Sequence, residues 1–160
     1  MYDTDGDFGQ VRLVDSIFPQ EMGEAAVCFS NAGWHRCNSR YRIDRPEGMS
    51  IFLLLFTVGG EGCLCLNGQT RLLQPGTAAL IPPCREVSYY TPEGGLWEFY
   101  WIHPVGGAAE RLLRYTLSML PEGAFPVVPM DVRPYAQGME ELLRLQGESQ
   151  GNPAAASAQT

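Results

Sequence analysis

The sequence predicts a mainly β domain, a closed barrel or jelly roll, followed by two α-helices. Three observations support this. Short β-prone runs, separated by Pro and Gly turns, recur at a spacing of roughly 8–12 residues through the first two thirds of the chain. Between Gly48 and Cys84 only Glu61 and Arg71 are charged, so this stretch must be largely enclosed. From about 104 to 146 the apolar spacing becomes helical.

Turn signals divide the strand region into its elements. Residues 51–58 form a continuous β-prone run, which is typical of a strand covered on both faces. Asn67 and Gly68 separate two further runs and predict a tight hairpin. A last strand is predicted at 96–103, ending before Pro104. Pro and Gly pairs therefore mark the ends of most predicted strands.

Alternation in the last predicted strand places four ring-bearing side chains on one face. These side chains are Trp97, Phe99, Trp101 and His103. They either fill the interior of the barrel with their own bulk or line a pocket within it.

The first predicted helix carries an apolar stripe at 3.6-residue spacing between Val105 and Leu120, ending before Pro121. The second is predicted to begin with Asp131 as its N-cap. Its apolar side chains are Tyr135, Met139, Leu142 and Leu143. Such stripes either pack on their own sheet or form a subunit interface, and the sequence leaves both interpretations open.

Composition excludes several classes of function. All 11 basic residues are arginines, and the formal net charge is −7. The lack of lysine excludes a P-loop and Schiff-base chemistry. An acidic surface repels phosphate, so we expect no DNA-binding residue within this chain. No apolar run is long enough for a membrane span, and the first residues lack a secretory pattern. Five cysteines, an odd number, predict reduced thiols and a cytoplasmic location.

Several short motifs, taken together, resemble the N-terminal sensor domain of AraC-type transcription regulators. In chain order they are Ile43-Asp-Arg-Pro-Glu-Gly-Met49 before an apolar strand, Gly60-Glu-Gly62, Leu73-Gln-Pro-Gly76, Leu80-Ile-Pro-Pro83 and Trp97-x-x-x-Trp101. Their order and spacing match from about 32 to 104, roughly the middle half of the chain. The resemblance implies a cupin-like jelly-roll barrel with an effector pocket inside it, dimerisation through helices after the barrel, and DNA binding by a separate helix-turn-helix domain.

The resemblance divides the chain into three parts. We expect an N-terminal arm at 1–10, a cupin effector-binding barrel at 11–103 and a helical dimerisation segment at 104–160, with the helix-turn-helix domain absent. The implied partners are a small, sugar-like effector, a second copy of the chain, and DNA only through the missing C-terminal domain. No membrane partner is expected.

Four residues are carried over from the family into the effector pocket: Arg45, Tyr89, Phe99 and Trp101. The set suits a small polyol, because a guanidinium and a phenol hydrogen-bond hydroxyls while an aromatic plane accepts the C–H face of a sugar. At Phe99 the arabinose-binding member of the family has a histidine. A phenyl ring cannot hydrogen-bond a hydroxyl, which argues against arabinose itself.

Three further residues, Asn31, Trp34 and His35, lie upstream of these motifs, where a loop or edge strand reaches the mouth of the barrel. A single histidine is usually a surface residue or a hydrogen-bonded core residue, and His103 is interpreted in the same way. None of these residues is placed in the predicted pocket.

Two other classes of function stay open: a stand-alone, non-catalytic cupin binding module and a metal-dependent cupin enzyme. Such an enzyme needs a His-x-His pair, a carboxylate and a further histidine. The first position is held by Cys63-Leu-Cys65, and the later one falls in 86–90, which contains no histidine. Without a Cys-x-x-Cys spacing, the two cysteines do not predict a metal site either. We therefore expect no catalytic residue, no metal and no cofactor.

Overall fold

A computed structural model describes residues 8–15 and 27–151, and these ranges contain ten strands and two helices. The elements are β1 (Gly9–Asp15), β2 (Cys28–Asn38), β3 (Arg42–Arg45), β4 (Leu53–Gly60), β5 (Gly62–Leu66), β6 (Gln69–Leu73), β7 (Thr77–Ile81), β8 (Val87–Tyr90), β9 (Leu96–Val105), α1 (Gly107–Ser118), β10 (Val127–Pro129) and α2 (Arg133–Gly151).

The strands form two antiparallel sheets. One has six strands in the order β1-β2-β9-β4-β7-β10, and the other has four in the order β3-β8-β5-β6. Side chains from both sheets meet in one core, which includes the fully buried Leu55, Leu64 and Trp97. The mainly β prediction, a cupin-like barrel followed by two helices, is confirmed.

Residues 51–58 are predicted to be buried on both faces. β4, which contains most of them, lies in the middle of the larger sheet. Leu53 and Leu55 point into the core between the sheets. Phe56 points the other way, into a second apolar cluster beneath α2. Because both faces are buried, the strand needs no polar alternation.

The predicted hairpin is also present. Leu66 pairs with Gln69 across a two-residue turn. Asn67 has φ 50° and Gly68 has φ 77°, the left-handed values that a tight hairpin turn requires. Asn and Gly are the residues that adopt this conformation at least cost, so the sequence fixes the register of β5 against β6.

Gly62 allows the larger sheet to approach the smaller one. A Cβ atom at this position would lie 2.3 Å from Cε2 of Trp97. The indole therefore packs directly on the backbone of β5, and its Nε1–H donates to Oγ1 of Thr57 at 3.1 Å. This contact fills one end of the barrel interior.

The helical segment differs from the prediction in two ways. It contains the short strand β10, which joins the larger sheet beside β7. Three residues were too few for the period to be visible in the sequence. In addition, Ala109 is the only residue of α1 that is buried. Leu112 (59% exposed) and Met119 (67% exposed) belong to the predicted apolar stripe but lie at the surface.

α2 packs against the outer face of the larger sheet. Met139 and Leu143 are buried there, as the sequence predicts. The expected cap Asp131 lies two residues before the helix, where its Oδ1 accepts from the backbone N–H of Arg133 at 3.1 Å. Neither helix in the described ranges combines the length and apolarity that crossing a membrane requires.

The predicted arm, residues 1–10, is described only from residue 8 onward. Gly9 and Gln10 belong to β1, which pairs with β2 along its whole length. Residues 1–7 lie outside the described ranges, so the mobility expected for them stays a prediction.

Candidate functional site

A cavity of about 640 Å³ lies inside the barrel, lined by residues of both sheets. Ring-bearing side chains form much of its wall: Phe8, His35, Tyr41, Tyr89, Phe99 and Trp101. Aliphatic side chains complete the apolar part: Val11, Leu13, Ile43, Leu53 and Leu55. The volume lies within the usual range of small-molecule sites.

The rings pack on one another as well as on the cavity. The imidazole of His35 stacks on Phe99 with centroids 5.2 Å apart and an interplanar angle of 13°. Phe99 stacks in turn on Trp97 at 3.9 Å. Tyr41 contacts both His35 and Phe99, at 5.5 and 5.7 Å. These mutual contacts hold the wall in a fixed shape before any ligand binds.

Polar side chains also line the cavity: Asp15, Asn31, Arg40, Arg42 and two histidines. The indole N–H of Trp101 donates to Nδ1 of His35 at 2.8 Å. Nδ1 of His103 lies 2.9 Å from the carbonyl oxygen of Phe52. Burial lowers the pKa of His35 to about 4 and also lowers the pKa of His103. Both rings are therefore neutral at physiological pH.

Three of the four residues carried over from the family line this cavity: Tyr89, Phe99 and Trp101. Arg45, at the end of β3, is not among the lining residues. Its charge nevertheless contributes to the lowered pKa of His103, after the larger effect of burial. The structure thus brings three of the four predicted residues together in the cavity wall. Arg45 is not part of that wall.

Several lining residues were not predicted from the sequence. Phe8 was assigned to the N-terminal arm, and Val11 and Leu13 fell within the predicted barrel without a role in the site, yet all three line the cavity. Tyr41 follows a turn after β2 and carried no recognisable pattern. His103, in contrast, alternates with Trp101 on β9, and this spacing is the signal that could have placed it.

Trp34 lies on the opposite face of β2 from His35 and does not line the cavity. The guanidinium of Arg12 lies 4.5 Å above its ring centroid. Its indole N–H donates to Oε1 of Glu98 at 3.1 Å. Arg12 also forms an ion pair with Glu140 of α2. The outer face of β1 and β2 therefore contacts the helix, while the inner face contacts the cavity.

The described ranges contain no group of three or more His, Cys, Asp or Glu side chains placed to hold a metal ion. Cys63 is buried and Cys65 is half-buried. The hydroxyl of Tyr90 hydrogen-bonds with Cys63, an interaction that raises the pKa of the tyrosine. These thiols act as small buried side chains of β5.

The comparison with protein-family models identifies the class of this protein. Residues 32–160 match the model described as the AraC-like ligand binding domain. The chain belongs to this family, as the short motifs of the sequence indicated.

Two curated relatives are arabinose operon regulatory proteins. The one from Salmonella typhimurium is 36% identical over 63 residues, covering 38% of this chain and 22% of that protein. The one from Escherichia coli is 35% identical over 63 residues, covering 38% of this chain and 21% of that protein. The matched segment thus spans about a fifth of the length of these relatives.

Among solved structures, the chain is similar to a cupin-family protein of Methanocaldococcus jannaschii with a double-stranded β-helix fold. The identity is 14%, the match covers 71% of this chain and 93% of that one, and the TM-score is 0.47. Ethanolamine utilization protein Q of Salmonella typhimurium matches at 17% identity, over 58% of this chain and 68% of that one, with a TM-score of 0.42. Similarities this remote carry no functional conclusion.

Proposed function

We propose that this chain is the effector-sensing domain of an AraC-family transcription regulator, and that its effector is a sugar or a related polyol bound inside the barrel. The observation that supports this most is the cavity of about 640 Å³ inside the barrel. Its aromatic wall offers planes for the C–H faces of a sugar, and Tyr89, His35 and His103 offer hydrogen-bonding groups. The charged side chains of Asp15, Arg40 and Arg42 also line the cavity and offer further hydrogen-bonding groups to a polar ligand.

The experiment is a thermal-shift screen of the chain against sugars, polyols and sugar acids. A ligand that binds only the native state raises its stability by about 2.7 kcal/mol at a hundred times its Kd, so a hit produces a clear rise in Tm. If no sugar, polyol or sugar acid in the screen shifts the Tm, the proposed effector class is wrong.

Tryptophan fluorescence locates the bound ligand. A hit should change the emission of the unaltered chain, and Trp101→Phe should remove most of that change because Trp101 lines the cavity. Trp34→Phe is the matched control, since Trp34 lies on the outer face of β2. An equal loss of signal in both variants would place the ligand elsewhere.

We further propose that ligand binding controls DNA binding by a domain outside this chain. Support comes from the family and from the curated relatives, which are named as regulatory proteins and are far longer than the matched segment. Two helix-turn-helix patterns encoded beyond Thr160 would agree with this proposal. A stop codon directly after it would favour the stand-alone binding module instead.

The signal is proposed to pass through β1, as a shift in population between two arrangements of this strand and α2. Val11 and Leu13 on its inner face line the cavity. Arg12 on its outer face pairs with Glu140 of α2. A ligand that contacts the inner face therefore acts on a strand that is already bound to the helix.

A homodimer formed through the helical segment is also part of the proposal. Leu112, Tyr115 and Met119 of α1 and its C-terminal cap are 59%, 64% and 67% exposed. They are spaced so that they share one helical face. An exposed apolar patch of this kind is typical of a subunit interface.

The five free thiols agree with a reducing compartment such as the cytoplasm.

A further inference from the structure

Two buried imidazoles contact one indole ring of the cavity wall. His35 on β2 is 8% exposed, and His103 on β9 is 4% exposed. Their ring centroids lie 5.9 and 5.5 Å from that of Trp101. All three residues line the cavity. The histidines therefore lie next to the aromatic plane that the proposed function assigns to the sugar.

The contact with Trp101 sets the tautomer of His35. An indole N–H can donate a hydrogen bond but cannot accept one. Because it lies 2.8 Å from Nδ1 of His35, this nitrogen must be the acceptor, and the proton of the neutral ring is on Nε2. The stacking of His35 on Phe99 fixes the plane of the ring. His35 thus presents an N–H donor.

His103 has the opposite tautomer. A backbone carbonyl can only accept a hydrogen bond, so Nδ1 of His103 donates its proton to the oxygen of Phe52, at 2.9 Å. Nε2 of the neutral ring then carries a lone pair. Within the described ranges, no side chain or backbone group forms a hydrogen bond with the second nitrogen of either histidine. One ring thus carries a donor and the other an acceptor on its second nitrogen, and both residues line the cavity.

We propose that Nε2–H of His35 and Nε2 of His103 form a donor–acceptor pair that binds hydroxyl groups of the ligand. This inference rests on the proposed function and specifies the chemistry of its site. A hydroxyl group can accept from His35 and donate to His103. A carboxylate cannot donate to His103, and an ammonium group cannot accept from His35. At these two nitrogens a hydroxyl group is therefore favoured over a carboxylate or an ammonium group. The net preference of the cavity also depends on the charges of Asp15, Arg40 and Arg42, which line it.

The first test reads the tautomers directly. Long-range ¹H–¹⁵N correlation spectra of the chain with labelled histidine, recorded at neutral pH, should show His35 protonated at Nε2 and His103 protonated at Nδ1. The chain contains only these two histidines, so His35→Phe is sufficient to assign the signals. Two rings in the same tautomer, or a charged ring, would overturn the inference.

The second test uses the aldopentoses, the matching alditols and the matching aldonates as probes. The neutral probes should shift the Nε2 signals of both rings. His103→Phe should weaken their binding about ten-fold, which corresponds to about one hydrogen bond. The variant should weaken binding of the aldonates less, because a carboxylate cannot donate to His103 while Arg40 and Arg42 still line the cavity. Tyr115→Phe is the control, because it also removes one polar atom from a ring, but on the exposed face of α1.

The outcomes separate this inference from the proposed function. Two results would overturn the donor–acceptor pair and leave the sugar-sensing proposal in place. One is a neutral probe that binds in the cavity but leaves both histidine spectra unchanged. The other is a loss of aldonate binding in His103→Phe as large as the loss of binding of the neutral probes. If every sugar and polyol of the thermal-shift screen failed to bind, the proposed function and the inference that rests on it would both be wrong. Since the tautomer spectra do not use His103→Phe, that test stands even where this variant does not fold.

Discussion

Arg12 of β1 donates two hydrogen bonds to the carboxylate of Glu140 on α2, with Nη1 at 2.9 Å from Oε2. The hydroxyl of Tyr100 donates to the same carboxylate. The guanidinium lowers the pKa of Glu140, and Tyr100 lowers it further. Both charged side chains are close to half exposed, so water and salt weaken the attraction between them. The ion pair therefore contributes only modestly to the free energy of unfolding.

We expect a double-mutant cycle with Arg12→Gln and Glu140→Gln to give a coupling free energy of about 0.5–1 kcal/mol in urea unfolding. The coupling should shrink in high salt. It should also be lost as pH falls through the lowered pKa of Glu140, since the protonated carboxyl no longer attracts the guanidinium. The exposed pair Arg114–Glu110 within α1 is the control. Coupling between β1 and α2 no greater than in this pair would contradict the prediction.

The buried histidine predicts a pH dependence of stability. Burial lowers the pKa of His35 to about 4, whereas the ordinary histidine pKa is 6.5. Between these values the unfolded chain binds a proton that the folded chain does not, so the free energy of unfolding falls as pH decreases. Above pH 6.5 this contribution is constant. From pH 7.5 to pH 5 the loss from His35 alone should be roughly 2 kcal/mol.

Urea unfolding of the unaltered chain and of His35→Phe at both pH values measures this loss. The variant should lose less stability on acidification, because the remaining decrease comes from His103, whose pKa is also lowered by burial, and from carboxylates. Equal losses in the two proteins would show that His35 is not held neutral by the fold.

Gly33 of β2 lies in close contact with both neighbouring strands, β1 and β9. A Cβ atom there would lie 2.8 Å from the backbone oxygen of Arg12 and 2.9 Å from Nε1 of Trp101. We expect Gly33→Ala to destabilise the fold by about 1–3 kcal/mol and to weaken ligand binding, because the backbone of β1 or the indole must move. Thermal unfolding and ligand titration measure the two effects.

Gly138 on α2 is the matched control, since a Cβ atom there would meet nothing within 4 Å. Gly138→Ala should raise stability by up to about 1 kcal/mol, through the better helix propensity of alanine. If both substitutions had the same effect, the tight contact at Gly33 would not constrain the cavity.

The exposed face of α1 predicts the effect of a charge on self-association. Leu112→Glu should shift the chain from dimer to monomer in sedimentation velocity, because a carboxylate would be buried without a partner. Arg111→Glu alters the charge of a neighbouring, exposed position and serves as the control. A dimer that survives Leu112→Glu would place the interface elsewhere.

Much of the β-strand pattern could be predicted from the sequence, because turn residues carry most of that information. The turn residues Asn67-Gly68, Pro75-Gly76 and Pro82-Pro83 lie just outside the ends of β6 and β7. β10 could not be predicted, because three residues show no period. Its pairing with β7 is a tertiary contact.

The candidate site was less predictable for a different reason. Alternation places Phe99, Trp101 and His103 on one face of β9, but it cannot show which of these side chains lines a cavity and which fills the core. Trp97 obeys the same alternation and fills the core. Phe8 and Tyr41 reach the site through the pairing of β1 with β2 and through a turn, neither of which has a sequence period.

The hydrogen bond from Met130 N–H to the oxygen of Gly76, together with the pairing of β10 and β7, anchors the start of α2 to the barrel. From this anchor the 19 residues of α2 extend about 28 Å. A tilt of ~5° at the anchored end would displace the far end by roughly 2–3 Å, by the geometry of a rigid helix. The helix would then act as a lever, so that a rearrangement too small to break the sheet would still reposition whatever follows it.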